Sequence, residues 1–370
     1  MPRTLTEREL NRALLARQLL LERAKTPIPK ALDRIGGIQA QYAPSMYIGL
    51  WSRLGGLERD AVTRALERRS IVQGSMMRAT IHLVSRGDYW PFIAGIRRAQ
   101  REWWLRTHGR AVTAREIAAN DRKVRRGLSG STLSRAELEG LLGQRLGLAA
   151  FWVDLVRVPP SGTWERRRAD LYALAEDWVG PESASEDEGI ELLVRRYLGG
   201  FGPARANDIA DWSGLKVTEI GPLLERIELR RFQDEEGGEL FDLPRAPLPE
   251  PDTPAPVRFL PVWDATLLVH ARRTGILPER YRPVIFNTRT PHSFNTFLVD
   301  GRVAGTWRYE GERVRLEPFE RIPREARADL AEETERLAEF IRTGSARAPA
   351  RRAAPRGRPR RSAGRATRRA

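Results

Sequence analysis

GPARANDIADWSGLKVTEIGPLLERIELRRFQDEEGGELFDL, residues 202–243, contains a nearly complete supersecondary unit. Pro203 suits the first position of a helix and opens a predicted helix over Ala204–Trp212, Ser213-Gly214 supplies a turn, and a second helix follows over Val217–Arg226 despite Gly221-Pro222. Two β-prone runs, Ile227–Gln233 and Glu239–Leu243, flank the turn Glu235-Glu236-Gly237-Gly238. With a helix over Ile190–Leu198 in front, the order is helix, helix-turn-helix and two-stranded wing. That is a winged helix.

The same order recurs upstream. Thr6-x-x-Glu9 is a capping box followed by apolar positions 10, 13, 14, 20 and 21 at helical spacing, and this helix must end before Pro27. Ala31–Ile38 and Leu57–Arg69 predict two further helices, and Ser70–Met77 with Ala79–Ser85 predict a hairpin. A weaker copy starts at the capping box Ser134-x-x-Glu137, runs through Leu138, Leu141 and Leu142, and reaches the β-prone Phe151–Val158 and a turn around Pro159, Pro160 and Gly162. The acidic stretch at 182–188 reads as a solvated linker.

Downstream, six prolines between 244 and 256 interrupt regular structure. Short β-prone runs follow at Val284–Phe286, Phe294–Val299, Val303–Tyr309 and Val314–Leu316, with Asp300-Gly301 as a tight turn, and an amphipathic helix over Pro323–Arg342 closes the unit. The expected fold is α+β: winged-helix units over residues 1–110, 111–181 and 182–243, a small β-rich domain over 244–343, and a disordered basic tail over 344–370.

At 370 residues and 41% hydrophobic composition, several cores are available, and the chain as a whole is not disordered. No apolar run is long enough to span a membrane and the first residues carry no apolar signal segment, so a cytoplasmic, nucleoid-associated protein with no membrane partner is expected. The absence of cysteine removes disulfides, thiolate metal sites, iron–sulfur clusters and cysteine nucleophiles, and four scattered histidines argue against a metal site. There is no phosphate-binding loop of the GxxxxGK[ST] form, and Gly199-Gly200-Phe201-Gly202 lacks the strand a dinucleotide site requires. No cofactor is expected.

The net charge of +16 is unevenly placed, because ten of those charges are arginines of the acid-free segment 344–370. Such a segment, with Arg351 and Arg352 among its arginines, suits a phosphate backbone. Only four of the 64 basic residues are lysine, a bias that discounts arginine counts taken alone.

Gly36-Gly37-Ile38-Gln39-Ala40-Gln41-Tyr42 fits no ordinary DNA-binding architecture. On a regular helix Gln39 and Gln41 would point to opposite sides, but they can converge where a helix ends. An amide offers donors and an acceptor without being a useful acid or base, so the pair suits holding a water and stabilising developing positive charge with its carbonyl oxygens. From the residues alone, a solvent-facing or backbone-capping role is the commoner reading of such a pair.

The repeated layout, together with GIQAQYAPSMYIGLWSRL (37–54), MRATIHLVSRGDY (77–89) and LPVWDATLLVHARR (260–273), resembles the bacterial winged-helix DNA glycosylases that excise N7-alkylated guanine, some of which unhook interstrand cross-links. The resemblance runs over residues 5–342 and leaves the tail outside. It implies a catalytic Gln-x-Gln motif at Gln39-Ala40-Gln41, with Ala as the smallest aliphatic middle residue, acting on duplex DNA that contains alkylated or cross-linked guanine; since one chain with three DNA-binding units can enclose a duplex without dimer symmetry, a monomer is expected. An N7-alkylguanine is already cationic, so the leaving base needs little protonation and a water positioner suffices.

Other positions carry two readings each. Arg78 and His82 fall on the presumed first wing, where His82 either contacts a phosphate or the lesion or is a structural histidine. Lys216, at the start of the third unit's recognition helix, suits a phosphate contact. Tyr42 and Trp51 either stack on the lesion or belong to the core. Asp264, His270, Arg272 and Arg273 either line the DNA channel or, for Asp264, form a structural salt bridge. The rival of another class is a non-enzymatic DNA-binding regulator whose β domain senses a ligand; an architectural DNA binder that relies on its tail is a third possibility.

Overall fold

The computed structural model describes residues 2–108, 112–147, 149–287 and 292–343. Arg351 and Arg352, with the rest of the arginine-rich tail, lie outside the described residues. Among those residues no helix is long and apolar enough to cross a membrane.

The stretch that opened the reading folds as helices Ala206–Ser213 and Val217–Arg226, followed by strands Arg230–Asp234 and Glu239–Asp242. Gly214 adopts φ 83° and its N–H caps the first helix on the Ala210 carbonyl, which makes the sharp turn between the two helices. The helix in front spans Glu186–Phe201 and corrects one expectation. Residues 182–188 are not simply a solvated linker: Ser185 is the N-cap, its hydroxyl accepts from the Glu188 N–H, and Glu188 reciprocates in a capping box. Glu186, Asp187 and Glu188 therefore occupy the first turn, where the helix dipole favours negative charge.

Pairing between sequence-distant strands joins the units. Thr4–Leu5 adds a parallel strand to Arg230–Asp234, so the first residues of the chain complete the sheet formed by residues 230–242. A six-stranded sheet runs in the order Ile38–Gln39, Ile81–Ser85, Ile71–Ser75, Leu155–Arg157, Leu171–Leu174, Leu133–Ser134. Its centre is the pairing of Gln73 and Gly74 with Arg157 and Val156, which merges two hairpins into one surface and covers an otherwise open edge of each. Both faces of this sheet are buried. Ile38, Ile71 and Leu83 enter one core, shared with Trp51, Phe297, Trp307 and Phe340; Val72, Val84 and Val156 enter another, shared with Phe92, Leu193 and Trp212.

The C-terminal sheet is antiparallel in the order Arg258–Leu260, Thr296–Val299, Arg302–Glu310, Arg313–Pro318. Asp300 and Gly301 both take positive φ, 46° and 76°, the backbone that an Asp-Gly hairpin turn demands. Val284 departs from the expected strand. It lies in the short helix Arg282–Ile285, where Pro283 sits in the first turn. Helix Arg327–Thr343 packs Leu330, Leu337, Phe340 and Ile341 into the core that holds Trp51.

Helices Ala43–Arg53, Arg86–His108 and Ala114–Leu128 were not anticipated from the sequence, the last despite its N-cap Thr113, whose hydroxyl accepts from the Glu116 N–H. Ala43–Arg53 is buried at every position, so it has no polar face and no amphipathic stripe to detect. Arg86–His108, 23 residues long, carries a proline at 91, a residue that ordinarily argues against a helix interior.

Gly36 and Gly37, at φ 77° and 80°, turn the chain from helix Ile28–Ile35 into the edge strand. A Cβ on Gly37 would stand 3.0 Å from both the Leu83 carbonyl oxygen and Val84 Cγ1, whereas one on Gly56 (φ 69°) would meet nothing within 4 Å. Gly37→Ala is therefore expected to cost about 2–3 kcal/mol and Gly56→Ala only about 1 kcal/mol. Denaturant melts of both variants check this, and equal losses would show that the close approach at Gly37 carries no weight.

Candidate active site

Gly36 is the left-handed C-cap of helix Ile28–Ile35, and the N–H groups of Gly36 and Gly37 both return to the Leu32 carbonyl. The chain leaves this cap extended. Ile38 pairs with Leu83 and Gln39 with His82, and then the Ala40 N–H donates to the Ile81 carbonyl at 2.7 Å. The strand ends at Gln39 and the chain bends at Gln41, but Ile38 and Ala40 both enter one core, so Gln39 and Gln41 lie on the side of the sheet edge away from it instead of diverging as on a helix. Ile38 fills the core on the opposite face.

The two amides are held differently. Gln41 is exposed, and its Oε1 accepts from the Ile81 N–H at 3.1 Å, which fixes the side chain and leaves its NH₂ group outward. Gln39 is 9% exposed. Its amide makes no hydrogen bond within the described residues, so both donors and the carbonyl oxygen are uncommitted. Among the described residues, no carboxylate bonds to either side chain.

His82, across from Gln39, is buried, and its Nδ1 lies 3.1 Å from the Thr80 carbonyl. A carbonyl only accepts, so Nδ1 carries the proton and Nε2 keeps its lone pair. Burial, reinforced by the charge of Arg78, pushes the pKa down to about 3. The ring is neutral and offers no cation to a phosphate.

The other positions singled out in the sequence are mostly committed to contacts within the protein. Arg78 sits in the turn between strands Ile71–Ser75 and Ile81–Ser85 at φ 54°, and its guanidinium donates to the Asp211 and Trp212 carbonyls at the end of helix Ala206–Ser213. Lys216 is the N-cap of the next helix and pairs with Glu102 at 3.0 Å. Arg272 pairs with Glu279 at the surface. Arg273, nearly buried, donates to Asp208 at 2.6 Å and to the carbonyls of Pro203 and His270. His270 is buried against Phe201 and Tyr197, and burial with two nearby arginines pushes its pKa far down. Trp51 packs on Phe340 beneath the guanidinium of Arg23. Asp264 forms a two-pronged buried pair with Arg53 at 2.9 and 3.0 Å.

Thus Gln39, Gln41, Tyr42 and His82 meet at one sheet edge, with Arg78 close enough to act on His82. Trp51, Asp264 and Arg272 belong elsewhere. Tyr42, 45% exposed, brings in a neighbour the sequence reading missed: its hydroxyl accepts from Arg167 Nη1 at 3.0 Å. Arg166-Arg167-Arg168 is a plain run of cations in the sequence, and discounting arginines for compositional bias hid it.

The chain is α+β, and one of its sheet edges presents two neutral amides beside a neutral histidine. The family model described as DNA glycosylase AlkZ-like matches residues 32–340, and the chain belongs to that family. A curated relative, the interstrand DNA cross-link repair glycosylase of Streptomyces sahachiroi, is 23% identical over 346 residues, covering 84% of this chain and 90% of the relative. The solved structure of Streptomyces sahachiroi DNA glycosylase AlkZ superposes with a TM-score of 0.74 at 21% identity, covering 91% of this chain and 97% of that one, a likeness of fold.

The buried histidine has a consequence for stability. Its pKa in the folded chain lies below the ordinary 6.5, so between those values the unfolded chain binds the proton that the folded chain refuses. Stability attributable to His82 is complete above pH 6.5 and falls as pH drops towards 3, by about 1.4 kcal/mol per pH unit. Thermal melts across this window are expected to show a shallower pH slope for His82→Gln than for the wild type; parallel slopes would contradict a buried neutral histidine.

Proposed function

We propose that this protein hydrolyses the N-glycosidic bond of N7-alkylated guanine in duplex DNA, extending to the unhooking of interstrand cross-links. The observation that carries this reading is the pairing of an uncommitted amide, Gln39, with an anchored one, Gln41, on one side of an edge strand. Cationic guanine is already a good leaving group, so the chemistry needs a directed water and a carbonyl dipole for the oxocarbenium-like sugar. A neutral His82 is compatible with this, because no protonated acid is called for.

The same reading treats the repeated helix–helix–hairpin units as winged helices over residues 1–110, 111–181 and 182–243, with the β-rich part over 244–343 and the basic tail adding phosphate contacts through Arg351 and Arg352. It takes the protein as a monomer working on nucleoid DNA in the cytoplasm. Arg78, Lys216, Arg272 and Arg273 are then supports of the DNA-facing surface, since their charged groups are already bonded within the protein. Membership of a glycosylase family favours this reading over a non-enzymatic regulator.

Gln39→Ala and Gln41→Ala are each expected to slow single-turnover excision of N7-methylguanine by ~10²–10³. DNA affinity should be retained, because neutral side chains contribute little to phosphate binding. Wild-type excision rates in both variants would overturn the assignment.

The reaction is further proposed to be monofunctional. Strand-cleaving glycosylases use an amine to form an imine with the sugar, typically one held in an apolar pocket. Lys25, Lys30, Lys123 and Lys216 are all exposed, and Lys216 is engaged by Glu102. Borohydride added during turnover should trap no protein–DNA adduct, and strands should break only after alkali; a stable adduct would exclude hydrolysis by water alone.

A further inference from the structure

The segment joining strands Leu155–Arg157 and Leu171–Leu174 is built as a rigid platform. Ser161 Oγ donates to the Arg168 carbonyl and accepts from the N–H groups of Asp170 and Leu171 at 2.7 and 3.2 Å. Gln73, on the neighbouring strand, donates to the Gly162 carbonyl at 3.1 Å. Trp164 is buried, edge-on to Tyr47 at 5.6 Å and to Phe340 at 6.2 Å, with the Arg59 guanidinium 4.7 Å from its ring centre. These contacts fasten both arms of the loop to the core beneath helix Ala43–Arg53.

Its tip exposes Glu165, Arg166, Arg167 and Arg168 in succession. Two of those charges are answered locally: Glu165 pairs with Arg59 at 2.9 Å and Arg168 with Asp170 at 3.3 Å. Arg166 and Arg167 have no carboxylate partner among the described residues. Arg167 instead reaches across 125 residues of sequence to donate to the Tyr42 hydroxyl, with its guanidinium 6.0 Å from the ring centre. Tyr42 is the residue after Gln41, so one uncompensated guanidinium, that of Arg167, is held directly beside the candidate site, with Arg166 exposed next to it on the loop tip.

We propose that Arg167, braced by Tyr42, grips a backbone phosphate of the DNA strand next to the nucleotide presented to Gln39 and Gln41, with the exposed Arg166 adding a second cation from the same loop tip. The proposal rests on the reading of the chain as a duplex-binding glycosylase. A guanidinium fork matches phosphate oxygens two at a time, and one already oriented by a phenol on a fixed loop loses less side-chain entropy on binding. Adjacent phosphates on a strand are separated by one nucleotide, so a phosphate gripped at Tyr42 sets the position of the neighbouring sugar relative to the amides. Arg166 then supplies affinity, and Arg167 with Tyr42 are positioning residues.

The test uses the full chain and two readouts. The first is equilibrium binding, over a salt series, to undamaged duplex and to duplex holding a tetrahydrofuran abasic analogue. The second is single-turnover excision of N7-methylguanine at saturating protein. Arg166→Ala and Arg167→Ala should each lower the slope of log K against log salt by ~0.9 on either duplex. Arg167→Ala should also slow saturated excision by up to ~10²-fold through misplacement of the sugar. Arg167→Lys should restore the salt slope, which only counts charge, but not the excision rate, which needs the fork. Unchanged salt slopes in both alanine variants would overturn the phosphate grip, and if the wild type still excises, the glycosylase reading stands. Reduced slopes with no excision by the wild type would retain the phosphate contact and overturn the glycosylase reading.

Discussion

Arg53 and Asp264, 211 residues apart in sequence, form a buried ion pair on which the geometry of the candidate site depends. Asp264 is satisfied further by the N–H and hydroxyl of Thr266, and Arg53 extends the network through Gln18, whose amide nitrogen donates to the carbonyls of Ile35 at 3.1 Å and Gly200 at 2.9 Å. The Ile35 carbonyl is the last before Gly36-Gly37, and two residues beyond those glycines stands Gln39. One polar chain thus ties helix Ala43–Arg53, the end of the first helix at Gln18, the segment around Asp264 and the entry to the edge strand. Its cost of assembly is high, since both charges leave water, and removal of one partner typically costs 3–5 kcal/mol because the other is left buried and unpaired, an order of magnitude set by desolvation. Packed apolar residues would give stability as readily. What the network adds is a single position for the Ile35 carbonyl.

Around that frame the sheet edge itself carries no charged side chain, and the nearest uncompensated cation, Arg167, stands beyond it against Tyr42. Most of the arginines singled out near the candidate site are spent on carbonyls and carboxylates, including Arg78 on the end of one helix and Arg273 on three carbonyls and Asp208. Arg78 nonetheless acts at a distance, helping burial keep His82 uncharged. A neutral histidine and two amides thus line the sheet edge, and the positive charge next to it is confined to the Arg167 side, against Tyr42.

How far the sequence disclosed this differs from element to element. Capping boxes at Thr6, Ser134 and the helix pair 206–226 announced themselves, because caps and turns are local chemistry written in neighbouring residues. The helix Ala43–Arg53 did not, because burial on all sides erases periodicity. The capping box at Ser185 was hidden under an acidic run that resembled a solvated segment. Gln39 and Gln41 were legible as a neutral pair, but their convergence was not, since it comes from strand geometry imposed by pairing with residues 81–82.

By itself the sequence determined the α+β composition, the repeated helix–helix–hairpin order, the absence of cysteine chemistry and the amide pair, all properties carried by residue type or by spacing within a few turns. Tertiary structure alone decided that two hairpins merge into one six-stranded sheet, that residues 4–5 complete a strand set near residue 240, that Asp264 answers Arg53, and that Arg167 lies against Tyr42. The physical reason is common to all four. Each joins groups separated by roughly 80 residues or more, and such encounters are selected by the burial of whole faces and the pairing of buried charges, which no local pattern of side chains encodes.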